Sequence, residues 1–303
     1  MGYSSELRRV LSRSRDRDGP LVCPAVHDPL TARVVDLLDF EAVYLTGYGS
    51  SLSVTGYPDA GLVTMPEMVE HARNVQETVS LPLVADADTG YGNATNVVRT
   101  VREYVRAGVG GVHIEDQVVP KRCGTVSGKA FVDRAEAVGK IRAAVDVRDE
   151  RDEDFVVIGR SDVEDTGEAI ERVNAYADAG ADLVYPSGVD TVEGLERTGE
   201  RVDAPLMYTN SAVADKPVLD HERLSELGFD VVVYWDVSML ATVVGTYAAF
   251  GRIADGDPSV LDELSADFDG LPVEDLHEFA GFPEVLDWEE RYVGDGSADF
   301  SNT

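Results

Sequence analysis

Lysine is scarce in this 303-residue chain. Of 26 basic residues only four are lysines (Lys121, Lys129, Lys140 and Lys216), set against 57 acidic residues and a formal net charge of −31. Cysteine is scarcer still. Cys23 and Cys123 are too few for a disulfide framework or a cysteine-based zinc site. No apolar run approaches the roughly 18 residues needed to span a bilayer. The stretch from Met1 to Pro20, rich in Arg, Asp and Ser, lacks the apolar centre of a signal peptide. The expectation is a cytoplasmic protein without a membrane partner. The acidic excess repels polyanions, so no nucleic-acid partner is expected either. A hydrophobic share of 44% excludes acidic disorder. The charge reads instead as adaptation to concentrated salt, a halophilic surface kept hydrated by carboxylates.

What is present is an alternation. Short apolar runs predict strands at Leu21–Val26, Ala42–Thr46, Leu83–Asp86, Gly111–Glu115, Phe155–Arg160, Leu183–Pro186, Leu206–Thr209 and Val231–Tyr234. Amphipathic stretches between them, such as Met65–Thr78, Ala94–Ala107 and Thr166–Ala179, predict helices. Eight such units predict an α/β protein, a (β/α)8 TIM-type barrel over residues 1–253. Residues 254–303 are acidic and punctuated by proline, and predict a helical C-terminal appendage. An open doubly wound sheet is the alternative. Against it, the first strand-to-helix turn has no Gly-rich fingerprint.

In such a barrel the chemistry sits at the C-terminal strand ends. There the chain places Thr46-Gly47-Tyr48, Asp86-Ala87-Asp88, His113-Ile114-Glu115-Asp116 and Arg160-Ser161-Asp162. Asp86 and Asp88 are two apart and would share one side of a strand. With Glu115 and Asp116 they form a carboxylate cluster that would repel itself unless a hard cation held it. Oxygen ligation favours Mg2+, or Mn2+, over zinc. His113 reads as a group that orients this cluster. The loop from Val118 to Asp133 has the length of a lid. In it Cys123 lies between Arg122 and Gly124, close to Lys121, and neighbouring cations make a thiol a usable proton donor. Cys23, in an apolar run, reads as core.

These motifs resemble the isocitrate lyase/phosphoenolpyruvate mutase superfamily, and most of all its 2-methylisocitrate lyases and short isocitrate lyase-like members. The resemblance runs from about Gly19 to Ile253. It is carried by Tyr44-Leu45-Thr46-Gly47, by the run Leu83 to Gly92, by Val112 to Gln117 and by Lys121-Arg122-Cys123-Gly124. It implies a Mg2+-dependent carbon–carbon lyase acting on a small hydroxy-carboxylate. Asp88 resembles the direct metal ligand, and Asp86, His113 and Glu115 resemble groups around the metal's water. Thr46, Gly47, Tyr48, Asp59 and Gly124 resemble substrate-binding positions. Asn210 resembles the family's seventh-strand asparagine after a one-residue shift. Cys123, Lys121 and Arg160 resemble the catalytic set, with Lys121 tuning the thiol. Family members usually form homotetramers that exchange a C-terminal helix, for which Val273–Phe279 or its neighbour is the candidate. Three positions depart from the family pattern: Thr125 stands where His is usual, Ser161 where Thr is usual, and Ser187 where Glu usually follows the sixth-strand proline. A phosphonate mutase or hydrolase and an oxaloacetate decarboxylase are the alternatives on this fold; a non-catalytic oligomeric binding protein is a further one.

Overall fold

The computed structural model describes residues 2–14 and 19–293. Eight strands occur in chain order: β1 (Leu21–Val26), β2 (Val43–Leu45), β3 (Leu83–Asp86), β4 (Gly111–Glu115), β5 (Val156–Ser161), β6 (Leu183–Pro186), β7 (Met207–Asn210) and β8 (Val231–Tyr234). All pair in parallel, in the order β6-β5-β4-β3-β2-β1-β8-β7. A parallel bridge between Val184 and Leu206 joins the two ends, and the sheet becomes a (β/α)8 barrel.

Side-chain alternation divides the core in two. Tyr44, Val84, Ile158, Tyr185, Met207 and Val233 point into the barrel, and Cys23 joins them as the small core residue expected from its apolar run. Their neighbours, among them Val43, Leu45, Leu83, Ala85, Val157 and Val232, face the surrounding helices. Both faces of each strand are therefore apolar, which is why the strands read as continuous runs.

The helices begin where acidic caps permit. Asp133, Asp165 and Asp220 each accept a backbone N–H in the first turn of the following helix, at 2.8 Å. Such caps contribute about 1 kcal/mol each, so part of the acidic excess has a local structural task. Two of the helices within residues 1–241 were not expected. Tyr3–Ser12 arises in the polar N-terminal stretch, because Leu7 and Val10 fall on one face and enter the barrel core. Gly47–Thr55 follows β2 directly.

The chain divides into two compact units, Met1–Ala241 and Thr242–Thr303. The change of composition at Ala254 falls later, because the helix Val237–Ala254 runs across the division. This helix also corrects the expectation that no run could span a bilayer. Broken by Ser238, Thr242 and Thr246, it is still 18 residues long and apolar enough to do so by length and composition. The core helix of a soluble protein passes the same test. The second unit contains helices Val260–Phe268, Leu276–Ala280 and Phe282–Tyr292. Edge-on ring contacts Phe268–Phe279 and His277–Phe282 hold them, and Arg252 pairs with Asp257 and Glu263. Residues 294–303 of the expected appendage lie outside the described residues.

Candidate active site

The strand ends bring the expected polar residues onto one rim. At the end of β2, Gly47 N–H donates to Asp86 Oδ2 at 3.2 Å. A Cβ on Gly47 would lie 2.3 Å from that oxygen, so only glycine allows this approach. Asp86 Oδ1 accepts the Asp88 N–H at 2.8 Å and lies 2.9 Å from His113 Nε2. The turn carries Asp88 at φ 48°, a left-handed conformation that Asp tolerates better than most residues. His113 stacks on Tyr44 and hydrogen-bonds its hydroxyl through Nδ1. Its Nε2 also lies 3.2 Å from Arg160 Nη1, so the ring either donates to Asp86 or accepts from Arg160.

Below the rim, Lys121 Nζ sits between Asp59 Oδ1 at 2.6 Å and Asp88 Oδ1 at 2.7 Å. Arg160 grips Asp162 with two bonds, Nε–Oδ1 at 2.8 Å and Nη2–Oδ2 at 3.0 Å, and lies 3.3 Å from Glu115 Oε2. Asp162 is fixed in turn by Gln117 Nε2 at 2.6 Å and by its own N–H to Asp116 Oδ1 at 3.0 Å. Asp116 is fully employed beneath, accepting also from Ser161, Arg172 and Tyr176. It therefore belongs to the scaffold rather than to the carboxylate cluster.

Burial and charge set the protonation of these groups. Burial pushes Asp88 up to about 7; Asp86 and Asp59 add repulsion, and Lys121 opposes them. Burial also works to raise Asp86, but His113, Lys121 and Arg160 outweigh it and hold that carboxyl well below its ordinary range. Glu115 is driven well above its usual range, chiefly by burial, despite Arg160 and Lys121. Burial disfavours the Lys121 ammonium, yet the carboxylates around it raise its pKa well above the ordinary lysine value.

The loop after β4 closes over this layer. Gln117 brackets Arg122, accepting its N–H at 2.9 Å and donating to its carbonyl at 2.8 Å. Lys129 Nζ donates to Gly124 O at 2.7 Å. Gly124 lies against Arg160, whose Nη2 would be 2.9 Å from an added Cβ. Cys123 N–H donates to Asp59 O at 3.1 Å, and its Sγ lies 3.3 Å from Thr125 Oγ1. The cations expected to act on the thiol are engaged elsewhere. Lys121 holds two carboxylates and Arg122 donates to Ser127 O. Thr125, one of the positions departing from the family pattern, is the thiol's hydrogen-bond partner instead.

One cavity is lined by Thr46, Tyr48, Asp59, Asp86, Cys123, Gly124 and Arg160, as expected, and also by Tyr185, Thr209, Lys216 and Trp235. Asp88, His113, Glu115 and Lys121 form the buried layer adjoining it, and Gly47 supports Asp86. Asn210 does not line the cavity. Its amide is turned to Leu219, donating to the carbonyl at 2.8 Å and accepting the N–H at 3.0 Å, while Thr209 faces the cavity and bonds the Tyr185 hydroxyl. Of the two neighbours that the one-residue shift leaves open for the seventh-strand position, Thr209 faces the cavity and Asn210 does not. No sequence signal marked Tyr185, inside an expected strand, or Trp235, just past the end of another. Lys216 could have been found from the rarity of lysine alone.

The expected metal cluster also needs correction. Among the described residues no three His, Cys, Asp or Glu side chains converge as a ligand cage. Four carboxylates at close quarters repel, and Lys121, Arg160 and His113 are interleaved among them. The residues nevertheless fit a hard divalent cation. Both Glu115 oxygens are buried without a hydrogen-bond partner, and the acidic donors are all oxygen. Mg2+ is commonly held by one or two protein carboxylates, keeping water and substrate oxygens as its other ligands.

The family model for phosphoenolpyruvate phosphomutase matches residues 11–254. The chain belongs to the phosphoenolpyruvate mutase/isocitrate lyase superfamily. It is 36% identical to the 2,3-dimethylmalate lyase of Eubacterium barkeri, covering 97% of this chain and 99% of that protein. It is 35% identical to the isocitrate lyase of Haloferax volcanii, covering 89% and 82%. Among solved structures, oxaloacetate acetylhydrolase in complex with the inhibitor 3,3-difluorooxalacetate superimposes with a TM-score of 0.86 at 31% identity, covering 98% and 99%. The superfamily neighbours also include oxaloacetate decarboxylases and a phosphonopyruvate hydrolase in complex with oxalate and Mg2+. Members of this superfamily are generally dependent on a divalent metal.

Proposed function

We propose that this chain is a Mg2+-dependent carbon–carbon lyase that cleaves a 2-hydroxy di- or tricarboxylate to an α-keto or α-oxo acid and a carboxylate fragment. The observation that carries this reading is the Cys123 thiol in the same cavity as Arg160, beside the buried Asp86–Asp88–Glu115 layer. Asp88 would hold the cation directly, and Asp86, His113 and Glu115 would order its water; Mn2+ suits the same oxygen donors. When bound, the cation supplies Lewis acidity that makes the substrate hydroxyl easier to deprotonate.

Arg160, held rigid by Asp162 through Nε and Nη2, orients a substrate carboxylate with its remaining Nη1 edge. Thr46, Gly47 and Tyr48 receive the keto-acid half, and Gly124 and Thr125 keep water from the reacting carbon. The hydroxyl gives its proton to solvent water and its C–O bond becomes a carbonyl. The electron pair of the broken C–C bond passes to the departing carbon, which takes the proton from Cys123 Sγ. The thiolate is then reprotonated from solvent, so protons and electrons balance with no change of oxidation state supplied from outside. Lys121 locks Asp59 and Asp88 in place for this chemistry.

The test is a substrate panel in molar KCl with Mg2+: isocitrate, 2-methylisocitrate, 2,3-dimethylmalate and, separately, oxaloacetate, with glyoxylate, pyruvate, succinate and propionate measured. Equimolar release of a keto or oxo acid and a carboxylate, lost on chelation, is the expected result. The relatives named for oxaloacetate chemistry supply a second reading. Consumption of oxaloacetate alone, with all three hydroxy acids inert, would replace the first reading with it. The homotetramer belongs to the same proposal. Exposed Leu261, Leu264, Phe282, Leu286 and Trp288 in the second unit support an assembly through that unit.

A further inference from the structure

The cations of the site are not equally engaged. Lys121 holds two carboxylates and Arg160 is paired with Asp162 and Glu115. Lys216 also lines the cavity, yet among the described residues it forms no ion pair. Its ammonium donates to the Ser187 carbonyl and lies 6.0 Å from the Tyr185 ring centre. Arg160 Cζ lies 5.5 Å from the same ring centre, so the two cations flank one stretch of cavity wall. In a chain with 57 acidic residues and four lysines, a lysine without a carboxylate partner at the active cavity calls for an anion from outside the chain.

The loop carrying Lys216 is built to place it. Asp236, fully buried, accepts from Ser211 Oγ at 2.7 Å, from Ala212 N–H at 2.8 Å and from Val213 N–H at 3.2 Å. Asn210 brackets Leu219 on the far side of the loop, and the Tyr208 hydroxyl donates to Pro217 O at 2.6 Å. Three buried polar side chains thus pin the segment on both sides of Lys216. Ser187, next to it, is small and uncharged, and presents its carbonyl to the lysine.

We propose that Lys216 is a specificity-determining residue that binds a distal carboxylate of the substrate, on the fragment that leaves as the carbanion. This rests on the lyase reading and narrows it. The preferred substrate is a 2-hydroxy acid whose departing fragment carries two carboxylates, as in isocitrate and 2-methylisocitrate, rather than one, as in 2,3-dimethylmalate. Arg160 cannot serve both ends of such a molecule, and Lys216 supplies the second anchor.

Equilibrium binding separates this proposal from the lyase reading. Succinate and propionate are titrated by calorimetry into the Mg2+-loaded full chain at fixed KCl, for wild type, Lys216→Met, Lys216→Arg and Ser187→Glu. Wild type is expected to prefer succinate. Lys216→Met should weaken succinate by about ten- to a hundred-fold, the usual loss for a hydrogen bond to a charged group, with propionate unchanged. Lys216→Arg should retain part of the preference and Ser187→Glu should lose it. Equal binding of both acids by wild type, or equal loss of both in Lys216→Met, would overturn the proposal. If wild type turns over no hydroxy acid yet keeps a Lys216-dependent succinate preference, the lyase reading fails and the subsite stands.

Discussion

Lys121 shows how one residue can hold a site together and still leave its chemistry to others. Its ammonium is buried between Asp59 and Asp88, and removing one partner of such a buried arrangement costs about 3–5 kcal/mol. Lys121→Met should therefore lower the thermal midpoint of the metal-free protein. It should also enlarge the rise in midpoint produced by Mg2+, since the cation then takes over the charge that lysine supplied. A variant whose midpoint matches wild type would show that the ion pairs do not stabilise the fold. Much of this site was legible from residue types alone: Asp86, Asp88, His113, Glu115, Cys123 and Arg160 do meet at one rim. Their partners were not. Proximity in sequence put Lys121 and Arg122 beside Cys123, whereas the loop's turns point both side chains away and leave Thr125 as the thiol's neighbour. Side-chain direction in a loop without periodicity has no sequence signal.

At the scale of elements, the barrel strands were read almost to the residue, because burial on both faces makes them continuous apolar runs. The helix Ala94–Ala107 was read with both ends, since Asn93 caps it and Gly108 at φ 80° terminates it. The N-terminal helix was missed because only Leu7 and Val10 mark its buried face, too few for a period to stand out. The β7 end was misread by one residue. At a strand's last positions the side chain that faces the cavity depends on where the chain leaves the sheet, and there Asn210 turns to hold the following loop. Asn210→Ala should accordingly loosen residues 212–219. Hydrogen exchange at Leu219, whose N–H the amide accepts, should quicken, and KM should rise more than kcat falls. A fall confined to kcat would place Asn210 at the reacting atoms instead.

For the whole molecule the dominant quantity is the net charge of −31. Local caps and ion pairs use part of it: Asp133, Asp165 and Asp220 cap helices, and Arg134, Arg148, Arg172 and Arg223 pair across elements. The remaining carboxylates repel one another, and salt shortens the range of that repulsion to about 3 Å at 1 M. The salt-adapted reading predicts a thermal midpoint and an activity that both rise from dilute buffer to molar KCl. Equal stability in the two buffers would remove that reading and leave the fold and site unaffected.

The central claim is that Cys123 hands a proton to the carbon released by C–C cleavage. The most direct test is to run the reaction with Mg2+ in D2O and follow the carboxylate product by mass spectrometry. Wild type should release product carrying one solvent-derived deuterium on the former bond carbon, and Cys123→Ala should lose turnover by about 10²–10⁴-fold while Mg2+ affinity is kept. Near-normal turnover with unchanged deuterium incorporation in Cys123→Ala would contradict it.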